Sequence, residues 1–207
     1  PSEYIAYLNQ NGTDEEIYEY AYKLHQDNKI EDAISGYKAV IAKNSSNVDA
    51  YVNLAICYAS KEDYNNAIST LNSAKAKFPT NNLVLKTLQS VQSDSVSTKL
   101  ATASSSFENK EYKKAIQQYL AINPATEESM LGVAAAYQAL EDYNNAIEYY
   151  KKAEQINPKN AEIPYYIGYL YSEQQNWSLA ETYLKKAVGL NPNSDAKELL
   201  SYVVQNG

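Results

Sequence analysis

Glu62-Asp63-Tyr64-Asn65-Asn66-Ala67-Ile68 recurs without a change as Glu141-Asp142-Tyr143-Asn144-Asn145-Ala146-Ile147. Looser copies are Asn28-Lys29-Ile30-Glu31-Asp32-Ala33-Ile34, Lys110-Glu111-Tyr112-Lys113-Lys114-Ala115-Ile116 and Gln175-Asn176-Trp177-Ser178-Leu179-Ala180. The alanines at 33, 67, 115, 146 and 180 are spaced 34, 48, 31 and 34 residues apart. Before each of four copies runs a helical pattern ending in Leu24, Tyr58, Tyr137 or Tyr171. After it runs a second one, such as Ala67, Leu71, Ala74 or Ala146, Tyr150, Ala153, which are i, i+4, i+7 stripes. Pro79, Pro158 and Pro192 close three of the units, because proline cannot continue a helix and pushes its predecessor out of the α region. The pattern predicts helix, tight turn, helix, stop, five times over.

These residues resemble the tetratricopeptide repeat family, whose unit is a helical hairpin of about 34 residues. The family places a small residue in mid first helix, here Ala21, Ala55, Ala103, Ala134 or Gly168. It opens the second helix with the alanine already quoted, followed four residues on by Tyr37, Leu71, Tyr119, Tyr150 or Leu184. Small residues belong where helices cross 8–10 Å apart, and large ones where they diverge. The resemblance implies an all-α fold, a right-handed superhelical solenoid of antiparallel helix–turn–helix repeats. The expected units are 14–47, 48–81, 96–126, 127–160 and 161–194. Thr13-x-x-Glu16 reads as a capping box that starts the first helix. Residues 195–207 read as an amphipathic capping helix, with Ala196, Leu199, Leu200, Val203 and Val204 on one face.

The pattern breaks once. Residues 82–95 are an insertion with Leu83, Val84, Leu85, Leu88 and Val91 at helical spacing, running into the Ser-rich stretch 93–98. Two structures fit: a helix over 82–93 that caps the first two repeats, or one long helix from about 82 to 108. Residues 96–126 form the poorest copy, with Lys99, Thr102 and Ser106 at positions usually large and apolar. Residues 1–13 stand before the repeats. There Tyr4, Ile5 and Leu8 suggest the end of an upstream domain, an N-terminal cap, or a segment docked in a neighbour's groove to make a homodimer.

Composition narrows the function. All 18 cations are lysines against 25 acids, giving a net charge of -7 and a pI near 4.8. That balance, with no arginine, argues against nucleic-acid binding, which needs clustered cations on phosphates. No run of about 18 apolar residues is present, so no direct membrane insertion is expected. A single cysteine allows neither an internal disulfide nor a thiolate zinc cage. Dispersed acids and a lone His25 predict no metal, no cofactor and no catalytic centre, since His25 and Cys57 would have to meet to act together. The chain begins at Pro1, which reads as a trimmed N-terminus and leaves the compartment open between cytoplasmic and exported or periplasmic.

The family lines its concave face with first-helix positions 2, 5, 6, 9, 12 and 13. Carried over, they give Glu15, Tyr18, Glu19, Tyr22, His25 and Gln26 in the first repeat, and Asp49, Val52, Asn53, Ile56, Ala59 and Ser60 in the second. The third supplies Ser97, Leu100, Ala101, Ser104, Phe107 and Glu108. The last two supply Glu128, Leu131, Gly132, Ala135, Gln138 and Ala139, then Glu162, Tyr165, Tyr166, Tyr169, Ser172 and Glu173. These 30 positions hold seven acids, five tyrosines and no lysine. The resemblance therefore implies an acidic, Tyr-lined groove for a protein or peptide segment that is neutral to basic and partly apolar. The chaperone-binding branch of the family grips a C-terminal carboxylate with Lys, Arg and Asn, and only Asn53 matches that set. The other readings are an assembly protein that self-associates through its ends or inserted helix, and the regulatory fragment of a larger enzyme.

Overall fold

The computed structural model describes residues 1–192 and 195–207. Among them are twelve α-helices and no strand. The chain divides into two units, Pro1–Ser95 and Val96–Gly207.

The first unit opens with α1 (Ser2–Asn11), which buries Ile5 and Leu8 against the first hairpin. The segment thus packs on the hairpin of its own chain. The hairpins are α2 (Asp14–Gln26) with α3 (Ile30–Lys43), and α4 (Val48–Ser60) with α5 (Tyr64–Lys77). Thr13 caps α2 in the expected box: Glu16 N–H donates to its Oγ1 at 3.2 Å, and its own N–H donates to Glu16 Oε2 at 2.8 Å. α2 and α3 cross where Ala21 meets Gly36, so closely that a Cβ on Gly36 would lie 2.6 Å from that of Ala21.

α6 (Asn82–Glu108) is one continuous helix across the stretch where the sequence left two versions open. It starts in phase with the repeats, since α2, α4 and α6 begin near 14, 48 and 82. Its early residues Val84, Leu88 and Val91 are buried against Tyr51, Ala55 and Leu71. These are the counterparts of Ala50, Leu54 and Cys57 one repeat earlier, which face the preceding hairpin and are buried likewise. The positions that would face a second helix are Gln89 and Gln92, both exposed, where α4 has Ala55 and Tyr58. The first half of α6 is thus a repeat's first helix without its mate, and its polar far side follows from that.

In the second unit, the later residues of α6 pair with the short α7 (Tyr112–Leu120). Ala103 of α6 is buried among Ala115, Ile116 and Tyr119, while Lys99 and Thr102 are exposed, which explains their polarity. Then come α8 (Glu127–Ala139) with α9 (Tyr143–Ile156), and α10 (Glu162–Glu173) with α11 (Trp177–Leu190). The unit ends in α12 (Ala196–Asn206), which covers α11 with Ala196 and Val203. Val204, expected on the same face, is 57% exposed, because one residue past Val203 turns about 100° away around the helix. The expected end of the last hairpin, at 194, lies outside the described residues.

All five turns within hairpins share one geometry. Asn28, Glu62, Lys110, Glu141 and Gln175 have φ between 56° and 61°. At each, the next N–H reaches back five residues (Asp63 to Tyr58 O, 3.0 Å) and its own reaches back three (Glu62 to Ala59 O, 2.8 Å). That is the Schellman helix ending, with a left-handed residue at C′. Where the following residue is Asp63, Asp142 or Asn176, its side chain also caps the second helix. The repeated sequence motif is therefore a helix stop and a helix start fused into one turn.

Candidate functional site

The first helices carry the residues expected to line a groove, and nearly all of them reach solvent. Glu15, Glu19, Tyr22 and Ile56 are exposed, and Tyr18, His25 and Asn53 are half-buried. In the second unit Glu128 and Glu173 are exposed, while Leu131, Tyr165, Tyr166 and Tyr169 are half-buried. Val52 and Ser172, at equivalent positions, are buried instead and serve packing.

In the first unit the structure brings several of these together. Asn53 Nδ2 donates to Tyr18 Oη at 2.9 Å, tying α4 to α2. Tyr18 and Tyr22, one turn apart, lie nearly parallel with centroids 6.3 Å apart. Beneath them Tyr37 of α3 is fully buried, 5.7 Å from the Tyr18 ring and edge-on to His25. Among the described residues its hydroxyl has no hydrogen-bond partner. The equivalent tyrosines of the second unit are satisfied: Tyr119 pairs with Ser104 at 2.9 Å, and Tyr150 donates to Gln138 Oε1 at 2.9 Å. Burial pushes the Tyr37 and Tyr150 phenols well above their ordinary range. Tyr18 is raised as well, by burial first and then by Asp49.

Glu15, Glu19 and Tyr22 also border a depression of about 1040 Å³ with Tyr4 and Tyr20, which meet edge to face at 4.8 Å. Lys23 shares its rim. A second depression, of about 560 Å³, joins Ile56 and Ala59 to Lys86, Thr87, Ser90 and Asp94 of α6. Sequence reasoning missed these α6 residues because no copy of the turn motif follows them. The signal was present in the 34-residue step from 14 to 48 to 82.

In the second unit the tyrosines are more deeply involved in packing. Tyr166 stacks on buried Tyr150 at 5.3 Å, and Tyr165 leans on Tyr166 at 5.6 Å. Tyr169 is raised in pKa by burial and then by Glu173. Four lysines of the second helices find carboxylate partners: Lys114 with Glu111, Lys152 with Glu148, Lys185 with Glu181 and Lys186 with Glu154. Lys151 lies 5.5 Å from the ring centroids of both Tyr171 and Tyr183. Among the described residues, Glu15, Glu19, Glu128 and Glu173 have no such partner.

Cys57 is buried, and that burial pushes its thiol up to about 11, which leaves it un-ionised at neutral pH. Among the described residues no group of three or more His, Cys, Asp or Glu is placed to hold a metal ion. Among them, too, no helix is long and apolar enough to cross a membrane.

The tetratricopeptide repeat family model matches residues 24–91 and 137–201. No curated protein matches the chain. Among solved structures, the TPR domain of Arabidopsis OM64 is 20% identical, covering 55% of this chain and 98% of its own, with a TM-score of 0.50. YrrB, described as a TPR protein with an unusual peptide-binding site, is 18% identical over 90% of each chain, with a TM-score of 0.42. MamA is 22% identical over 83% of this chain and 94% of its own, with a TM-score of 0.42. Repeats of this kind mediate interactions between proteins and are generally non-enzymatic scaffolds. The family match covers well over half the residues and includes four of the five turns that stop one helix and start the next, so the chain belongs to the tetratricopeptide repeat family.

Proposed function

We propose that this chain is a non-enzymatic interaction scaffold that receives a segment of a partner protein on its first-helix face. The observation that carries this reading is the division of charge between helix types. Among the described residues Glu31, Glu148, Glu154 and Glu181 of the second helices sit in ion pairs, whereas Glu15, Glu19, Glu128 and Glu173 of the first helices have none, and Glu19 and Glu173 act on the half-buried Tyr18 and Tyr169. Unpaired carboxylates lose little by solvation and gain when a cation arrives, so the face suits a neutral to basic segment. Tyrosines supply rigid contact area with a hydroxyl at the tip, which suits a partly apolar one. A single segment held this way reaches micromolar affinity, about -8 kcal/mol.

The test is capture of partners from the source organism's lysate by the chain and by two double variants, Tyr18→Ala with Tyr22→Ala, and Tyr165→Ala with Tyr169→Ala. Circular dichroism verifies that each variant remains helical. Loss of the same captured protein in at least one variant supports the reading; unchanged capture by both removes it.

A second reading, self-association into a homodimer, is favoured by exposed aromatic residues on the two terminal helices. Tyr4 and Tyr7 of α1 are 49% and 58% exposed and stack on one another, and Tyr202 of α12 is 54% exposed. Sedimentation that stays monomeric from micromolar to millimolar concentration eliminates it.

A further inference from the structure

α6 adds a lysine to the row of first-helix positions that the repeats leave without one, Lys23 of α2 standing at the rim of the depression beside Glu15 and Glu19. Residues 34 apart occupy equivalent places on successive first helices, so Tyr18, Val52 and Lys86 form one row, and Glu19, Asn53 and Thr87 the next. The bond from Asn53 to Tyr18 joins α2 to α4 on this face, and the depression shared by Ile56 and Lys86 joins α4 to α6. Across the first unit the face therefore runs from carboxylates (Glu15 and Glu19 of α2 and Asp49 at the start of α4), over the tyrosines and the 39% exposed Ile56, to an ammonium group. Asp94 lies eight residues beyond Lys86 on α6, about 12 Å along the helix, too far to neutralise it. Among the described residues Lys86 has no ion-pair partner.

We infer that the first unit reads a polypeptide segment of mixed charge, with a Lys or Arg at one end, an aliphatic residue between, and an Asp or Glu at the other. This deepens the proposed function and rests on it. The cationic end lies over Tyr18 and Tyr22 between Glu15 and Glu19, the aliphatic residue over Ile56, and the acidic end at Lys86. Geometry sets the spacing. α3 packs on both α2 and α4, so the step between successive first helices is at least about 8–10 Å, the spacing of directly packed helices, and α2 and α6 stand roughly 16–20 Å or more apart across α4. An extended chain advances about 3.3 Å per residue, so the two charges stand at least about five or six residues apart. A uniformly basic segment would meet Lys86 as a like charge, and a uniformly acidic one would meet Glu15 and Glu19.

The experiment uses the full chain and four fluorescein-labelled, acetylated and amidated peptides in fluorescence anisotropy at low salt. Two carry mixed charge in opposite order, Lys-Ala-Leu-Pro-Leu-Ala-Glu and Glu-Ala-Leu-Pro-Leu-Ala-Lys. Two controls carry Lys at both ends or Glu at both ends. One mixed-charge order is expected to bind at least tenfold tighter than either control. Lys86→Glu, an exposed substitution, is expected to weaken it about tenfold and to raise the peptide with two lysines above it. Equal binding of the two-lysine peptide, or a ranking unmoved by Lys86→Glu, overturns the inference. If that equal binding is still lost in Tyr22→Ala, the groove reading stands while the charge reading falls. If none of the four peptides binds, the inference is likewise overturned.

Discussion

Replacing Glu141 by glycine should stabilise the second unit, although it deletes a charged side chain and puts glycine between two helices. Glu141 is the left-handed residue of the turn from α8 to α9, with φ at 60°. Its side chain is exposed and makes no hydrogen bond or ion pair among the described residues, so nothing is lost with it. The backbone bonds of the turn, Glu141 N–H to Gln138 O at 2.9 Å and Asp142 N–H to Tyr137 O at 3.0 Å, do not involve the side chain. A left-handed conformation costs an L-residue about 1–2 kcal/mol, which glycine avoids. Glycine forfeits about 0.5–1 kcal/mol through the freedom it gains when unfolded. The balance is a gain of about 0.5–1 kcal/mol, or roughly 2–5 °C in melting temperature for a unit of this size. The control is Glu148→Gly, seven residues on in mid α9, where glycine costs about 1 kcal/mol and breaks the pair with Lys152. Thermal and urea unfolding followed by circular dichroism should move in opposite directions for these two exposed glutamates. If Glu141→Gly lowers stability as Glu148→Gly does, the turn geometry assigned to Glu141 is wrong.

Tyr37→Phe removes a buried hydroxyl without a partner among the described residues and should be neutral or stabilising by up to about 1 kcal/mol, whereas Tyr150→Phe breaks the bond to Gln138 and should cost about 1 kcal/mol; urea melts of the pair decide. Gly36→Val places a branched side chain where even a bare Cβ would lie 2.6 Å from that of Ala21, and should cost about 2 kcal/mol or more in the same assay. Asp63 accepts bonds from the Asn66 side chain and backbone, which hold its carboxyl below the ordinary range. Its contribution is therefore fully present above about pH 4 and is lost as pH falls through the depressed folded value. Asp63→Asn should keep a capped helix while flattening that acid limb, read from melting temperatures between about pH 2 and 7.

Much of the fold was legible because a hairpin repeat is a local object. The turn needs a helix stop and an N-cap within two residues, so Glu62-Asp63 and Glu141-Asp142 carry their geometry in sequence. Ala21, Ala103 and Ala134 are fully buried at crossings, where only a small side chain fits. α6 was harder to read, because Leu83, Leu85 and the Ser-rich run are compatible with a helix that stops or continues. What distinguished it was an absence, the missing second helix, which shows only as Gln89 and Gln92 where apolar residues would otherwise stand. The site was legible in outline and blurred in detail for a related reason. Helix position tells which way a residue faces, but not what shares its surroundings. Tyr166 was expected on an open face, yet it is half-buried and stacked on Tyr150. Lys86 was left out because it belongs to a helix outside the repeat count.

The central claim, that the first-helix face receives a partner segment, is tested most directly by site-specific photocrosslinking in the source cells. A benzophenone amino acid would replace Tyr22 or Tyr169 on that face, and Ser69 or Lys185 on second helices as controls. The account predicts that one partner protein crosslinks at Tyr22, at Tyr169 or at both, and at neither control. Crosslinks to the same protein at Ser69 or Lys185 with none at Tyr22 or Tyr169 would contradict it.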